Sequence, residues 1–220
     1  MGELYAYPQA TQQMLEDVFF NAEAWIGEEV ASEFARAEGA AFVSGDGTKK
    51  PKGFLAYTTA ATADSVRAFG TLEHVATGVA ADWAASNPQD VLLTLVYKLK
   101  AGFRSNARFV MNKGILADVR KWKDTTGNYV WRPGLEAGQP DTLLGYGITE
   151  AEDMPAKAAN ALPIAFGDFS RGYLIVDRIG TSILRDPYTA KPYVGFYTRK
   201  RLGGCVVDSE AIKVIKIAAA

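Results

Sequence analysis

Three carboxylates stand close together in the chain, at Glu150, Glu152 and Asp153. Paired carboxylates can act as a general acid and base, or can hold a divalent metal ion. The three acids lie between two predicted strands and beside Pro155, a position that is also typical of solvated acids on a loop. A metal-dependent hydrolase that uses this group therefore stays open as an alternative function, although the commoner interpretation is a loop without a metal site.

His74 and Cys205 are the only histidine and the only cysteine of the chain. A histidine base needs a nucleophile and an orienting partner, and no G-x-S-x-G nucleophile motif is present. A single cysteine can form neither an intrachain disulfide nor a thiolate zinc site. Because Cys205 lies in a probable strand, we expect it to be a buried or half-buried structural thiol.

Two glycine motifs resemble parts of nucleotide-binding sites. The segment Gly45–Lys49 lacks the spacing and the Gly-Lys-Ser/Thr ending of a phosphate-binding loop, so it indicates a hairpin turn or a helix-exit turn. The segment Gly167–Phe169 matches a kinase metal-binding tripeptide, but the rest of the kinase signature set is missing. Neither motif predicts a nucleotide site.

Two further groups could bind a partner. The basic run Arg199–Arg201 could meet nucleic acid or an acidic surface. In a strand, however, its side chains cannot all point the same way. The favoured interpretation is therefore either charged residues that protect a sheet edge from further pairing or an intersubunit ion pair. Tyr129 and Trp131 could form a carbohydrate-binding platform, as in an adhesin, and core packing is the competing interpretation. The sequence thus predicts no catalytic residue, no metal ligand, no cofactor-binding residue and no cofactor.

The bulk composition narrows the function classes. The 220 residues carry 24 Lys and Arg against 25 Asp and Glu, a net charge of -1, which argues against a surface built mainly for nucleic acid. No apolar run is long enough to span a membrane, and the N-terminus lacks the pattern of a signal peptide. These features predict a soluble protein that is made in the cytoplasm.

The elements that position these residues change in type along the chain. Apolar residues at three- and four-residue steps predict helix from Thr11 to about Glu38, with a break near Phe20 and Asn21 as the cap of a long second part. Helices are also predicted after Asn87 and after Asn112. Short apolar runs predict strands at residues 143–149, 172–178, 182–185, Phe196–Arg201 and Ala211–Ile217, of which the last two should be accessible at a sheet edge. Two prolines and two glycines predict a loop at residues 132–140. We expect the long helix to pack on a sheet that contains Ala211–Ile217. The chain is therefore predicted to be α+β.

An ordered series of segments resembles the HK97-like phage major capsid family over essentially the whole chain. No single motif decides the likeness. The segments are Glu3–Ala6, Ala10–Thr11, Ala41–Gly47, Phe109–Lys113, Leu116–Asp124, Gly127–Trp131, Leu143–Tyr146, Glu152–Pro155, Ile164–Phe169, Arg171–Arg178, Leu184–Tyr188, Lys191–Tyr193 and Glu210–Lys213.

This resemblance implies a fold and a role. It implies a peripheral P-domain, with a spine helix at about 21–38 and a long sheet, formed by residues 1–85 and 183–220, and an axial A-domain formed by residues 86–182. The expected function is that of a self-assembling head protein of a tailed phage or prophage, found in the virion. Its expected partners are other copies in pentamers and hexamers, portal and scaffold or protease proteins, and DNA without sequence specificity, with no membrane.

The likeness also has departures. Family members usually carry an N-terminal arm and an extended loop before the matched region, so we expect a truncated, processed or unusually short form that oligomerises weakly. Some members cross-link subunits through Lys, Asn and a catalytic Glu; the positions equivalent to the last two are Pro192 and Arg199, so no cross-link is expected. An encapsulin-like shell around protein cargo is the remaining alternative with the same fold.

Overall fold

A computed structural model of the chain describes residues 2–17, 21–123, 127–129, 131 and 142–219. The described chain divides into two compact units. Unit 1 comprises Met1–Ala56 and Ile175–Cys205, and unit 2 comprises Tyr57–Leu174 and Val206–Ala220. These bounds differ from the predicted domain bounds near residues 85 and 183. The assignment of P-domain and A-domain concerns positions in a shell and stays a prediction.

Unit 1 contains an antiparallel sheet around one central strand. Strand β10 (Tyr193–Val206) pairs with β1 (Gly2–Ala6), β2 (Gln9–Thr11) and β9 (Tyr173–Asp186). Because β10 has partners on both sides, the expectation that residues 196–201 are accessible at an edge was wrong. The two predicted strands at residues 172–178 and 182–185 are one continuous strand, β9.

The predicted spine helix is present and is longer than expected. Helix α1 (Gln12–Asp17) is followed by α2 (Ala22–Ser44), and the side chain of Asn21 accepts a hydrogen bond from the Ala24 N–H, as a helix cap does. The 23 residues of α2 span about 35 Å. Ile26 packs against a small apolar cluster formed by Ala10, Val194 and Phe196.

In the turn after α2, the backbone of the following loop passes very close to the backbone at the end of the helix. The Gly45 N–H donates to the Ala41 carbonyl, and the Gly53 N–H donates to the Gly45 carbonyl. A Cβ on Gly45 would lie 2.3 Å from the Pro51 carbonyl oxygen, and one on Gly53 would lie 2.5 Å from the backbone of Val43. Only glycine fits at either position without a shift of the backbone.

Unit 2 is organised around a seven-stranded mixed sheet. Its spatial order is β3 (Thr59–Ala60), β4 (Leu72–Ala76), β11 (Ile212–Lys216), β8 (Ile164–Gly167), β5 (Arg108–Met111), β7 (Tyr146–Glu150) and β6 (Thr142–Leu143). The strand predicted at residues 143–149 is instead a tight β6–β7 hairpin, because Leu144 and Gly145 both have positive φ. Strand β11 lies inside the sheet, so its expected edge position was also wrong.

Unit 2 contains a large apolar core. Helix α3 (Asp90–Lys98) contacts β4 and β11. Short helix α4 (Ala101–Arg104) follows, and α5 (Lys113–Lys121) begins at Asn112, whose side chain accepts from the Gly114 N–H as predicted. A last short helix, α6, spans Phe169–Gly172. The core side chains include Leu95, Leu99, Phe109, Met111, Ile164, Phe166 and Ile215.

The packing expected between the spine helix and residues 211–217 involves two units, because α2 belongs to unit 1 and β11 belongs to unit 2. Within unit 2, α3 contacts β11. Within unit 1, Ile26 of α2 packs against residues of β2 and β10. The predicted loop at residues 132–140 lies outside the described residues.

Candidate functional site

The three acids singled out in the sequence do not form a cluster with a shared ligand geometry. Glu150 ends strand β7 and is exposed, as are Glu152 and Asp153. The Glu152 carboxylate lies 2.9 Å from the Lys113 ammonium, and both side chains are mostly in water. In the part of the chain that the structure describes, no group of three His, Cys, Asp or Glu side chains could hold a metal ion.

His74 lies on β4 and is half-buried. Burial lowers its pKa, Lys216 and Lys98 lower it further, and Glu73 acts in the opposite direction. The imidazole is therefore neutral at pH 7. Its Nδ1 is buried and meets no hydrogen-bond partner among the described residues, so no nucleophile or orienting group of the kind a general base needs is placed beside that nitrogen.

Cys205 is exposed, contrary to the expectation of a buried or half-buried thiol. It lies near the end of β10, where the following residue, Val206, turns inward. Alternation along the strand thus directs the thiol to solvent. Cys205 belongs to unit 1 and His74 to unit 2, so the structure does not place both in one compact unit.

Both glycine motifs serve local backbone structure. In the first, the Asp46 carboxylate accepts from the Thr48 N–H, and Gly47 has a φ of 83°, which together close the helix-exit turn that was predicted. In the second, Asp168 caps α6 by accepting from the Ser170 N–H at 3.1 Å. Asn106 also donates to the Asp168 carboxylate.

The basic run divides between two faces of β10, as predicted. Arg199 is exposed, whereas the Lys200 ammonium lies 2.8 Å from the Glu38 carboxylate of α2. A second acid, Asp177, lies 3.6 Å from the same ammonium. Lys200 thus makes its ion pairs within the chain, and the run is not one continuous basic surface.

The two candidate platform aromatics differ in burial. The Trp131 indole N–H donates to the Thr142 carbonyl, and Trp131 packs against the core of unit 2. The Arg120 guanidinium lies 5.1 Å from its ring centroid. Tyr129 is half exposed, with the Lys123 ammonium 5.0 Å from its ring. Core packing was therefore the correct interpretation for Trp131 and wrong for Tyr129.

Sequence reasoning missed a buried cluster of five charged side chains. Lys213 of β11 is fully buried and lies directly across from Glu73 of β4, with 2.8 Å between the ammonium and the carboxylate. It also contacts the Asp64 carboxylate. Lys98 approaches the other oxygen of Glu73 at 2.9 Å. The signal was a lysine between the apolar residues of Ala211–Ile217, a segment predicted to be an edge-accessible strand.

Arg67 completes this cluster from a loop. Its guanidinium lies 2.6 Å from Asp64 and 3.4 Å from Glu73, and it donates to the carbonyls of Thr71 and Ser209. Burial alone would raise the pKa of both acids, but hydrogen bonds from Lys213, Arg67 and Lys98 outweigh burial and hold both pKa values below the ordinary range. Both carboxylates are therefore ionised at neutral pH.

No helix in the described part of the chain has the length and apolar composition to cross a membrane. The described residues form two sheet-based units, with ion pairs that hold loops and helices. A model of the phage capsid family matches residues 1–217.

The chain belongs to the phage capsid family. Among solved structures, the capsids of an empty and of a native GTA particle, both computed with C5 symmetry, are 51% identical to it. Each alignment covers 99% of this chain, and 74% and 73% of the respective capsid chains, with a TM-score of 0.92. No curated protein matches the chain.

More distant capsids share the fold alone. Bacteriophage PhiM1 mature capsid is 13% identical, with a TM-score of 0.65 over 99% of this chain and 71% of that chain. Gordonia phage Cozz is 14% identical, with a TM-score of 0.63 over 99% and 70%. The predicted HK97-like α+β fold and the structural role as a major capsid protein are thereby confirmed.

Proposed function

We propose that this phage capsid protein forms, with other copies of itself, pentamers and hexamers of an icosahedral shell that encloses DNA in a phage or prophage-derived particle. The observation that carries the proposal is the 51% identity to GTA particle capsids over nearly the whole chain. Closed shells need contacts that join unlike surfaces of successive copies, because such contacts generate rings. The proposal includes synthesis in the host cytoplasm and work with portal and scaffold or protease proteins.

Within each ring, unit 2 would take the axial position of an A-domain and unit 1 the peripheral position of a P-domain. This assignment follows the compact units rather than bounds near residues 85 and 183. It is supported by what each unit contains: α2 and a four-stranded sheet in unit 1, and the mixed sheet with α3 and α5 in unit 2.

The enclosed DNA would be held without sequence recognition. The net charge of -1 leaves no excess of basic residues for phosphate neutralisation. Lys200 and Lys213 are both committed to acids of the same chain. The protein would therefore act as a container and not as a DNA-binding protein.

Catalysis would play no part in this role. A metal-dependent hydrolase would need Glu150, Glu152 and Asp153 to converge, and the Glu152 carboxylate is engaged by Lys113. Calorimetric titration with Mn²⁺ and with Zn²⁺ tests the alternative. We expect no saturable binding. Stoichiometric binding that Glu152→Gln removes would reopen the hydrolase function.

The main test is the content and symmetry of particles that contain this protein. We expect electron microscopy of nuclease-treated particles to show the chain repeated in rings of five and six, around protected DNA. Particles of the same symmetry that hold protein cargo and no DNA would favour the encapsulin-like alternative. Particles whose shell lacks this chain would refute the proposed function.

A further inference from the structure

The loop at residues 61–70, between β3 and β4, has its charges inside and its apolar side chains outside. Its charged residues, Asp64 and Arg67, turn into the buried ion cluster. Its other exposed side chains are uncharged, and Val66 and Phe69 are each 80% exposed. Single exposed apolar residues are common on protein surfaces, but two on an otherwise uncharged loop with inverted burial mark an interaction surface.

This loop is held in one shape by contacts at both ends and in the middle. The Arg67 side chain, 2% exposed, donates to the Thr62 and Thr71 carbonyls, and so ties the start of the loop to its end. The Gly70 N–H donates to the Ser209 hydroxyl, and the Leu72 N–H donates to the Thr58 carbonyl. Val66 and Phe69 are therefore presented as a fixed apolar knob.

An apolar cavity of about 170 Å³ lies elsewhere in the same unit. It is lined by side chains of α3, α5 and the β6–β7 hairpin, among them Leu92, Leu93, Trp122, Trp131, Leu143 and Leu144. Leu93 and Leu144 are 40% and 46% exposed, so the cavity opens to solvent between them. An apolar cavity of about 150 Å³ is large enough to take up a benzene molecule.

The knob and the cavity lie at opposite edges of the seven-stranded sheet. The knob follows β3 at one edge, and the cavity adjoins β6 at the other. The lining of the cavity includes no residue of the 61–70 loop, so the knob does not fill the cavity of its own copy. A second copy placed beside it can receive the knob.

We propose that Val66 and Phe69 of one copy insert into the Leu93–Leu144 cavity of the next copy around each ring of the shell. The contact joins unlike surfaces, so each copy inserts its own knob into one neighbour and receives the knob of the other neighbour. A ring of copies closes when the rotation from one copy to the next is a whole-number fraction of 360°. The Phe69 ring fills the cavity, and Val66 covers its mouth. This inference rests on the proposed shell function and names the residues that carry one of its contacts.

Cysteine cross-linking tests the contact in assembled shells. The parent is Cys205→Ser, which removes the one native thiol. Phe69→Cys and Leu93→Cys are added together, and the shells are oxidised with diamide. We expect a non-reducing gel to show a ladder of covalent oligomers that ends at rings of five and six. The matched controls, Phe69→Cys alone and Leu93→Cys alone, should stay at the monomer position or give dimers only.

A second pair of variants covers the case in which the double-cysteine protein does not assemble. Phe69→Asp should abolish shell formation, because a carboxylate cannot enter the apolar cavity. Phe69→Leu should retain it. Both should unfold within a few degrees of the parent protein, since the side chain is exposed in one copy. Shells of normal yield from Phe69→Asp would overturn the contact.

The remaining outcomes separate the contact from the function. Normal shells without a cross-linked ladder, or a disulfide formed within one copy, would overturn the contact and leave the shell function standing. Particles whose shell lacks the native chain would remove the proposed function, and the contact with it.

Discussion

Two groups of acidic residues in unit 2 have opposite environments. Glu150, Glu152 and Asp153 are neighbours in the sequence and lie exposed at the end of β7, with Lys113 as the salt-bridge partner of Glu152. Asp64 and Glu73 are nine residues apart in number and meet in the interior around Lys213. The first group was the candidate for catalysis or metal binding, whereas the second joins separate segments of unit 2 through buried ion pairs.

This difference shows that acids that are close together in the sequence indicate mainly a solvent-exposed segment. Three acids in four residues repel one another unless water screens them, so they stay at the surface. A buried acid requires cations from other parts of the chain, and Glu73 receives them from β11, α3 and the loop at residues 61–70. The buried group thus joins distant segments, and in doing so it fixes the loop that carries Val66 and Phe69.

The largest expected effect comes from removing the central cation. Lys213→Met leaves Asp64 and Glu73 buried with fewer partners, and should lower the free energy of unfolding by about 3–5 kcal/mol. The matched control, Lys113→Met, removes the exposed pair with Glu152 and should leave the free energy of unfolding nearly unchanged, because water screens that pair. Urea unfolding of both variants measures the difference. Equal effects would contradict the contrast between the two acid groups.

Acid pH should also act through the buried group. The pKa values of Asp64 and Glu73 are lowered in the folded protein, so the unfolded chain takes up these protons first as the pH falls. The stability they contribute is complete above their ordinary pKa values and should be lost below about pH 4. Unfolding measured from pH 7 to pH 3 should show this decline, and Glu73→Gln should make it shallower. If Glu73→Gln lost stability with falling pH as steeply as the native protein, Glu73 would not be a source of the acid sensitivity.

A smaller pH effect should come from His74. Its pKa is lowered by burial and by Lys216 and Lys98, so protonation below about pH 6.5 favours the unfolded chain. The native protein should therefore lose stability between pH 7 and pH 5, and His74→Gln should lose less over the same interval. Thermal unfolding at the two pH values tests this. Identical losses in both proteins would show that His74 is not coupled to folding.

The smallest effect is expected at the exposed cysteine. Cys205→Ser should change the free energy of unfolding by less than about 0.5 kcal/mol, because nothing is buried or uncovered. The native protein should react with a thiol reagent without denaturant, at a rate close to that of a free thiol. Protection of the thiol in the folded single copy would contradict its exposure.

The sequence predicted features that depend on local rules. Asn21 and Asn112 cap helices because a short side-chain acceptor before an apolar period satisfies free N–H groups, which needs no tertiary contact. Lys213 could not be placed in the same way. A lysine between apolar residues reads as solvent-facing unless the two acids that receive it are known, and one of these lies 140 positions away.

The family likeness could likewise be predicted from the ordered segments of the sequence. The knob and the cavity could not be predicted from it. Val66 and Phe69 have no helical or strand period, and their exposure follows from the inward turn of Arg67. The cavity forms only when β6, α3 and α5 meet. Such surfaces depend on three-dimensional packing and carry no local pattern.

The most direct test of the shell function is a cryo-electron microscopy map of particles that contain this protein. The account predicts that the chain traces into every shell subunit, with unit 2 around the five- and six-fold axes and Phe69 of each copy beside Leu93 of the next. A map in which this chain is absent from the shell, or forms no ring of repeated copies, would contradict it.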